Sequence, residues 1–149
     1  MGLLDIKGKC VMVAGGAGFV GSAIVRELIE DGAKVVVYDN FLHGTLGNLA
    51  EVREQIKIVS GDILDPWRVS QAISDNKVEF ILSTVGDTYV PTAYDVPARF
   101  FQINVLGCLS LLQALKQFPT IKRYLYVSST EVYGEAPTQR SPRRRNCCL

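Results

Sequence analysis

The run Val13-Ala14-Gly15-Gly16-Ala17-Gly18-Phe19-Val20-Gly21 constrains this chain more than any other stretch, because it falls where a buried strand hands over to a helix. Cys10-Val11-Met12-Val13-Ala14 is continuously apolar, as a strand covered on both faces is. Val20, Ile24 and Leu28 follow at intervals of four and mark an apolar helical face, which Asp31-Gly32 closes. At such a junction one glycine lets the backbone turn sharply, one lets it approach a diphosphate with no Cβ in the way, and one lets the helix pack closely on the strand. Free N–H groups and the helix dipole then favour the anion. Two spacings overlap here, Gly16-x-Gly18-x-x-Gly21 and Gly15-x-x-Gly18-x-x-Gly21, so the motif alone does not choose among dinucleotide-binding folds.

The second strand supplies a test against a plain glycine turn. Lys34-Val35-Val36-Val37-Tyr38 is β-branched and ends in Asp39, eighteen positions after Gly21. A carboxylate at that distance accepts hydrogen bonds from an adenosine ribose and repels a 2′-phosphate, which selects NAD over NADP.

Beyond Asp39 the alternation continues. Ile56-Lys57-Ile58-Val59 reads as a third strand, and Asp65-Pro66 as N-cap and first-turn proline of a helix carrying Trp67, Val69, Ala72 and Ile73. Val78–Leu82 is a fourth strand and Arg123–Val127 a fifth. Between them Pro97 opens a long helix through Val105, Leu109, Leu112 and Leu115, stopped by Phe118-Pro119. Five strands alternating with helices predict an α/β fold, a Rossmann-like doubly wound parallel sheet with helices on both faces and right-handed crossovers. Phe100, Phe101, Ile103 and Leu106 make the long helix apolar on more than one side. That fits either packing between sheet and loops or a homodimer face.

Nearly half of the 149 residues are hydrophobic, which excludes a disordered chain and suits one domain. The net charge of +1 hides an asymmetry, because Arg140, Arg143, Arg144 and Arg145 lie in the last eleven residues, with no acid among them. Without those four, twelve basic residues face fifteen acidic ones, so nothing in the body suggests a nucleic-acid surface. Residues 1–136 are expected to form the incomplete nucleotide-binding domain, and 137–149 an Arg-rich disordered tail. Cys10, Cys108, Cys147 and Cys148 show neither metal nor disulfide spacing, which points to a reducing cytoplasm. No signal sequence, lipidation motif or run of membrane-spanning length is read, so no membrane partner is expected.

The remaining polar candidates fall at the carboxyl edge of the sheet, where ligands of such folds bind. They are Asp62-Ile63, Ser83-Thr84-Val85-Gly86, Asn104 in the long helix, and Ser128-Ser129-Thr130-Glu131-Val132-Tyr133-Gly134. With Gly15, Gly18, Gly21 and Asp39-Asn40, this set from about Lys9 to Gly134 resembles the NAD-dependent epimerase/dehydratase family, the extended short-chain dehydrogenases/reductases that act on nucleotide sugars. Asn104-Val105-x-Gly107 and Val127–Gly134 match most specifically. Ala14 replaces the threonine usual before the first glycine, and Thr84-Val85-Gly86 matches only loosely.

The resemblance implies NAD as cofactor, held by Gly15, Gly18, Phe19, Val20, Gly21, Asp39, Asn40, Asp62, Ile63, Thr84, Val85, Gly86 and Asn104. It implies a nucleotide-sugar substrate whose reacting oxygen is hydrogen-bonded by Ser129. Glu131 stands where dehydratases and decarboxylases carry an acid, but Thr130 replaces the aspartate that usually precedes it. The family abstracts hydride from a sugar carbon and then epimerises or dehydrates the product, using a tyrosine made acidic by a lysine four positions on. Here Tyr38, Tyr89, Tyr94, Tyr124, Tyr126 and Tyr133 are followed at that distance by Leu42, Ala93, Ala98, Ser128, Thr130 and Pro137. Two expectations follow: the NAD-binding portion of a nucleotide-sugar epimerase/dehydratase, truncated or frame-shifted and inactive alone, or a non-catalytic NAD(H)-binding module acting through a protein partner.

Overall fold

A computed structural model of the chain describes residues 5–134. Its centre is a five-stranded parallel sheet in the order β3-β2-β1-β4-β5, formed by β1 (Cys10–Ala14), β2 (Lys34–Asp39), β3 (Ile56–Ser60), β4 (Phe80–Ser83) and β5 (Arg123–Tyr126). The expected doubly wound α/β class is the fold observed. The segment 137–149, expected to be disordered, lies outside the described residues.

Strand alternation explains why helices cover both faces. Met12, Ala14, Val36, Tyr38 and Ile81 point to one side, where α2 (Pro66–Asn76) and α5 (Gly107–Gln117) bury Val69, Ala72, Ile73, Leu111 and Ala114 against them. Val11, Val13, Val35, Val37 and Phe80 point to the other, under Val25 of α1 (Phe19–Glu30) and Leu49 and Val52 of a 3-10 segment (Leu46–Gln55). That 3-10 segment has no apolar period to betray it and was not anticipated. Asp65 caps α2 as its sequence predicts, Oδ1 accepting from Arg68 N at 3.0 Å, with Pro66 in the first turn. A cap of this kind contributes about 1 kcal/mol.

Register fixes the functional edge. Ala14 pairs with Tyr38 on one side and Ser83 on the other, so the residues that follow, Gly15, Asp39 and Thr84, emerge side by side at the carboxyl end of the sheet. The chain leaves β3 at one edge and re-enters at β4 beyond β1, a reversal of strand order that opens a crevice above β1.

Three details differ from the sequence reading. The buried face of α1 is Gly21, Ser22 and Val25, while Val20, first of the expected stripe, is exposed. Close approach of helix to turn selects small residues, and apolar spacing does not report that. The helix expected from Pro97 is divided into α4 (Pro97–Phe101), a π-turn (Gln102–Leu106) and α5, preceded by a short α3 (Val90–Asp95). Its core face is Leu111 and Ala114, whereas Val105, Leu109 and Leu112 of the expected stripe are exposed. Finally, the 21 residues Pro97–Gln117 do reach the length and apolarity of a membrane-crossing helix, contrary to the expectation that no run would. β5 ends the sheet as an edge strand with Leu125 half-exposed.

Candidate functional site

The glycine turn is built as its residue types require. Gly15 has φ +78, a conformation that side chains avoid, and a Cβ there would stand 2.7 Å from Thr84 Oγ1. Gly21 sits against the turn so closely that a Cβ would be 2.1 Å from the Gly15 carbonyl oxygen. Gly18 is the N-cap of α1 and supplies no side-chain cap, so the first-turn N–H groups of Phe19, Val20 and Gly21 face outward with only the helix dipole behind them. The Phe19 side chain is 92% exposed, which leaves its backbone as the useful part.

Beside this turn Asp39 ends β2, 8% exposed. Its Oδ2 accepts from Ala17 N at 2.9 Å and its Oδ1 from Phe41 N at 2.8 Å, so the carboxylate is fixed between the glycine turn and its own loop. Each oxygen keeps a second lone pair. Phe41 adopts φ 57, a left-handed backbone uncommon for a bulky residue, and its bond to Asp39 offsets part of that strain. Asn40 Nδ2 donates to Asp62 Oδ2 at 3.1 Å, while Asp62 Oδ1 accepts from Leu64 N at 2.8 Å. The ends of β2 and β3 are thereby joined, and Tyr38 OH donating to Asp62 O at 2.8 Å adds a second tie.

The opposite wall comes from β4. Thr84 Oγ1 lies 3.1 Å from the carbonyl oxygens of both Ala14 and Gly15, stitching this wall to the turn. Gly86 follows, and the Asn104 amide clamps the next residue at both ends: Oδ1 accepts from Asp87 N at 2.8 Å and Nδ2 donates to Asp87 O at 3.0 Å. Asn104 therefore shapes the β4 loop from within the π-turn. Gly107 lets this helix close on β3's loop, since a Cβ would be 2.8 Å from Ile63 Cγ2.

The cleft between the walls is lined by Gly15, Gly18, Asp39, Asn40, Ile63, Thr84, Val85 and Gly86 of the expected set. Asp62 and Asn104 brace it without lining it. Tyr38, His43, Gly44 and Gly61 also line it and were missed. The two glycines carried a faint signal, each standing alone after a strand end. A Cβ on Gly44 would meet Ala17 C at 2.8 Å, and one on Gly61 would meet Tyr38 OH at 2.5 Å.

Ser129 and Glu131 lie apart from this cleft, past the end of β5, and both are exposed. Ser129 caps a 3-10 turn (Thr130–Tyr133), its Oγ accepting from Glu131 N at 3.2 Å, which leaves the hydroxyl proton free to donate. Burial raises the phenol pKa values of Tyr38, Tyr124 and Tyr126, so none of these three is shifted toward phenolate.

A twofold-wound parallel sheet, a glycine turn opening a helix and a fixed carboxylate at the end of β2 define a dinucleotide-binding protein of Rossmann type. A family model described as the NAD dependent epimerase/dehydratase family matches residues 11–147, and the chain belongs to that family. UDP-glucose 4-epimerase of Lactobacillus helveticus is 35% identical over 124 residues, covering 83% of this chain and 36% of that protein. dTDP-glucose 4,6-dehydratase of Xanthomonas campestris pv. campestris is 33% identical over 134 residues, with 83% and 38% covered. The crystal structure of UDP-glucose 4-epimerase from Brucella ovis in complex with NAD aligns with a TM-score of 0.78 at 31% identity, over 88% of this chain and 38% of that one. The chain thus spans less than two fifths of the length of these relatives. The family match runs to residue 147, past the motifs that end at Gly134.

Proposed function

We propose that this chain binds NAD(H) in the cleft above β1 as the nucleotide-binding portion of a nucleoside-diphosphate-sugar epimerase or dehydratase. The observation that carries the reading is the Asp39 carboxylate, held by two backbone N–H groups at the mouth of the glycine turn. The residues present fit the cofactor. Gly15 and Gly18 leave a cradle without Cβ atoms, the open N-terminus of α1 faces a diphosphate, and the spare lone pairs of Asp39 face a ribose diol. Ile63 and Val85 provide apolar walls for an adenine ring. NAD, when bound, supplies the hydride acceptor. In this reading Ser129 donates its hydroxyl proton to the sugar oxygen at the reacting carbon, and Glu131, two residues on, exchanges a proton with the substrate.

The chain's own sequence provides no Tyr-x-x-x-Lys pair, and burial moves Tyr38, Tyr124 and Tyr126 away from ionisation. A chain working without that pair is expected to lose about 10²–10⁴-fold in deprotonating the sugar hydroxyl. A second reading, an NAD(H)-binding module that acts through a partner, is favoured by one surface of the chain. On the outer face of α4 and α5, Phe101, Val105, Leu109 and Leu112 form an exposed apolar stripe, and a second copy of the chain is the partner proposed for it.

Calorimetric titration with NAD and NADP, followed by assays of the NAD-loaded chain on UDP-, GDP- and dTDP-sugars, tests this reading. Saturable binding with NAD preferred and no turnover is expected. Equal or tighter NADP binding would overturn the assignment. Turnover abolished by Ser129→Ala would show a complete active site.

A further inference from the structure

The cleft offers a diphosphate backbone N–H groups and a helix dipole, but no side-chain cation among its lining residues. Among the described residues no lysine or arginine lines it, and the first turn of α1 carries no charged side chain. The helix dipole offers the equivalent of about half a positive charge, against about two negative charges on the diphosphate. A full cation is missing from the cleft wall.

A cation stands at the rim. Arg99, on α4, is partly exposed, and its guanidinium lies between Asp87 and the cleft-lining His43. On one side Nε is 3.4 Å from Asp87 Oδ2. Asp87 follows the lining residue Gly86 directly, is 6% exposed, and its Oδ2 makes no hydrogen bond among the described residues. On the other side Nη2 is 3.4 Å from Nε2 of His43, which lines the cleft from the β2 loop. The guanidinium has only N–H donors to offer at this contact, since it carries no acceptor.

We infer that Arg99 is the diphosphate-binding cation of this cleft, with Asp87 as its positioning carboxylate. The inference rests on the NAD reading above. The buried Asp87 carboxylate pairs with the guanidinium through Nε at 3.4 Å, and the Asn104 clamp fixes the backbone of Asp87. On the cleft side Nη2 makes, among the described residues, one weak contact, 3.4 Å to the His43 ring. A phosphate oxygen is a stronger acceptor for guanidinium than an imidazole nitrogen, and it takes two N–H bonds at once. His43 gives way to the phosphate, while Asp87 keeps its hold.

The test compares the wild-type chain with Arg99→Ala, Arg99→Gln and Arg99→Lys by calorimetric titration at low salt. The probes are NAD, ADP-ribose and adenosine, the last taken to millimolar concentration. The Ala and Gln variants are expected to lose about tenfold or more in affinity for NAD and ADP-ribose, as removal of a charge-assisted contact does. Adenosine binding stays within twofold, and Arg99→Lys restores part of the loss. The wild-type affinity for ADP-ribose falls more steeply with salt than that of Arg99→Gln. Gln at this partly exposed position retains the fold, which a melting curve checks. Unchanged ADP-ribose affinity in Arg99→Gln, or equal losses for ADP-ribose and adenosine, overturns the inference and leaves the NAD reading standing. A folded wild-type chain that binds neither NAD nor ADP-ribose overturns both.

Discussion

Replacing Asp39 by alanine separates the role of this residue in cofactor choice from its role in the fold. In the fold it accepts two backbone N–H groups, at 2.9 Å from Ala17 and 2.8 Å from Phe41. Removing the carboxylate leaves the Ala17 N–H without its partner, at about 1–3 kcal/mol in stability. In binding, one or two charge-assisted bonds to the ribose diol disappear, each worth about 1.5–3 kcal/mol, so NAD affinity falls about 10-fold or more. For NADP the same change removes a repulsion. At an effective dielectric of about 20, a unit charge about 4 Å from the carboxylate is disfavoured by roughly 4 kcal/mol. The two effects act in the same direction and sum to about 5.5–7 kcal/mol, so the ratio of NAD to NADP affinity is expected to fall by up to about 10⁴- to 10⁵-fold. Partial unfolding of the variant does not confuse this result, because an unfolded fraction weakens both ligands by the same factor. Fluorescence titration with NADH and NADPH gives the ratio directly. A ratio unchanged from wild type would refute the assignment of Asp39 to the ribose.

Three further outcomes follow from the geometry. Gly21→Ala places a Cβ 2.1 Å from the Gly15 carbonyl oxygen, so turn and helix must part, lowering stability by about 1–3 kcal/mol in denaturant titration and weakening NAD binding with it. If the proposed dimer forms through the exposed face of α5, Leu109→Lys with Leu112→Lys is expected to leave a monomer in analytical ultracentrifugation without lowering the melting temperature by more than a few degrees, and a wild-type chain that is already monomeric would overturn that dimer. The Lys122 hydrogen bond to Glu79 at 2.6 Å lowers the Glu79 pKa in the folded state, so its contribution is present above the unfolded-state value and lost as pH falls through the folded one. Melting temperatures of wild type and Glu79→Gln should accordingly differ at neutral pH and converge in acid.

The parts of this molecule legible in its sequence are those that local pattern encodes. Five short strands, the proline-led starts of α2 and α4, and the glycine turn depend on neighbours within a few positions, and the structure places them where residue types alone predict. Helix faces were harder. Val20, Ile24 and Leu28 read as a buried stripe, and Leu28 does pack against the core, yet the fully buried residues of α1 are Gly21, Ser22 and Val25, because proximity to the glycine turn favours small residues over apolar ones. On α5 the more conspicuous stripe is the solvent-facing one. Periodicity shows that a face is apolar and says nothing of what covers it. Arg99, Asp87 and His43 were invisible for another reason: they come from α4, the β4 loop and the β2 loop and share no spacing. Only the fold of the sheet edge brings them together. Asn104 was visible as a residue, but its bonds to the Asp87 backbone follow from the π-turn that carries it.

The most direct test of the central claim is to titrate the isotopically labelled intact chain with NAD and follow its backbone amide resonances. The account predicts saturable shifts concentrated at Gly15, Gly18, Phe19, Asp39, Asn40, Ile63, Val85 and Gly86, with the opposite edge of the sheet at Lys34, Lys77 and Lys122 unmoved. Shifts centred on that opposite edge, or none in a folded chain at saturating NAD, would contradict it.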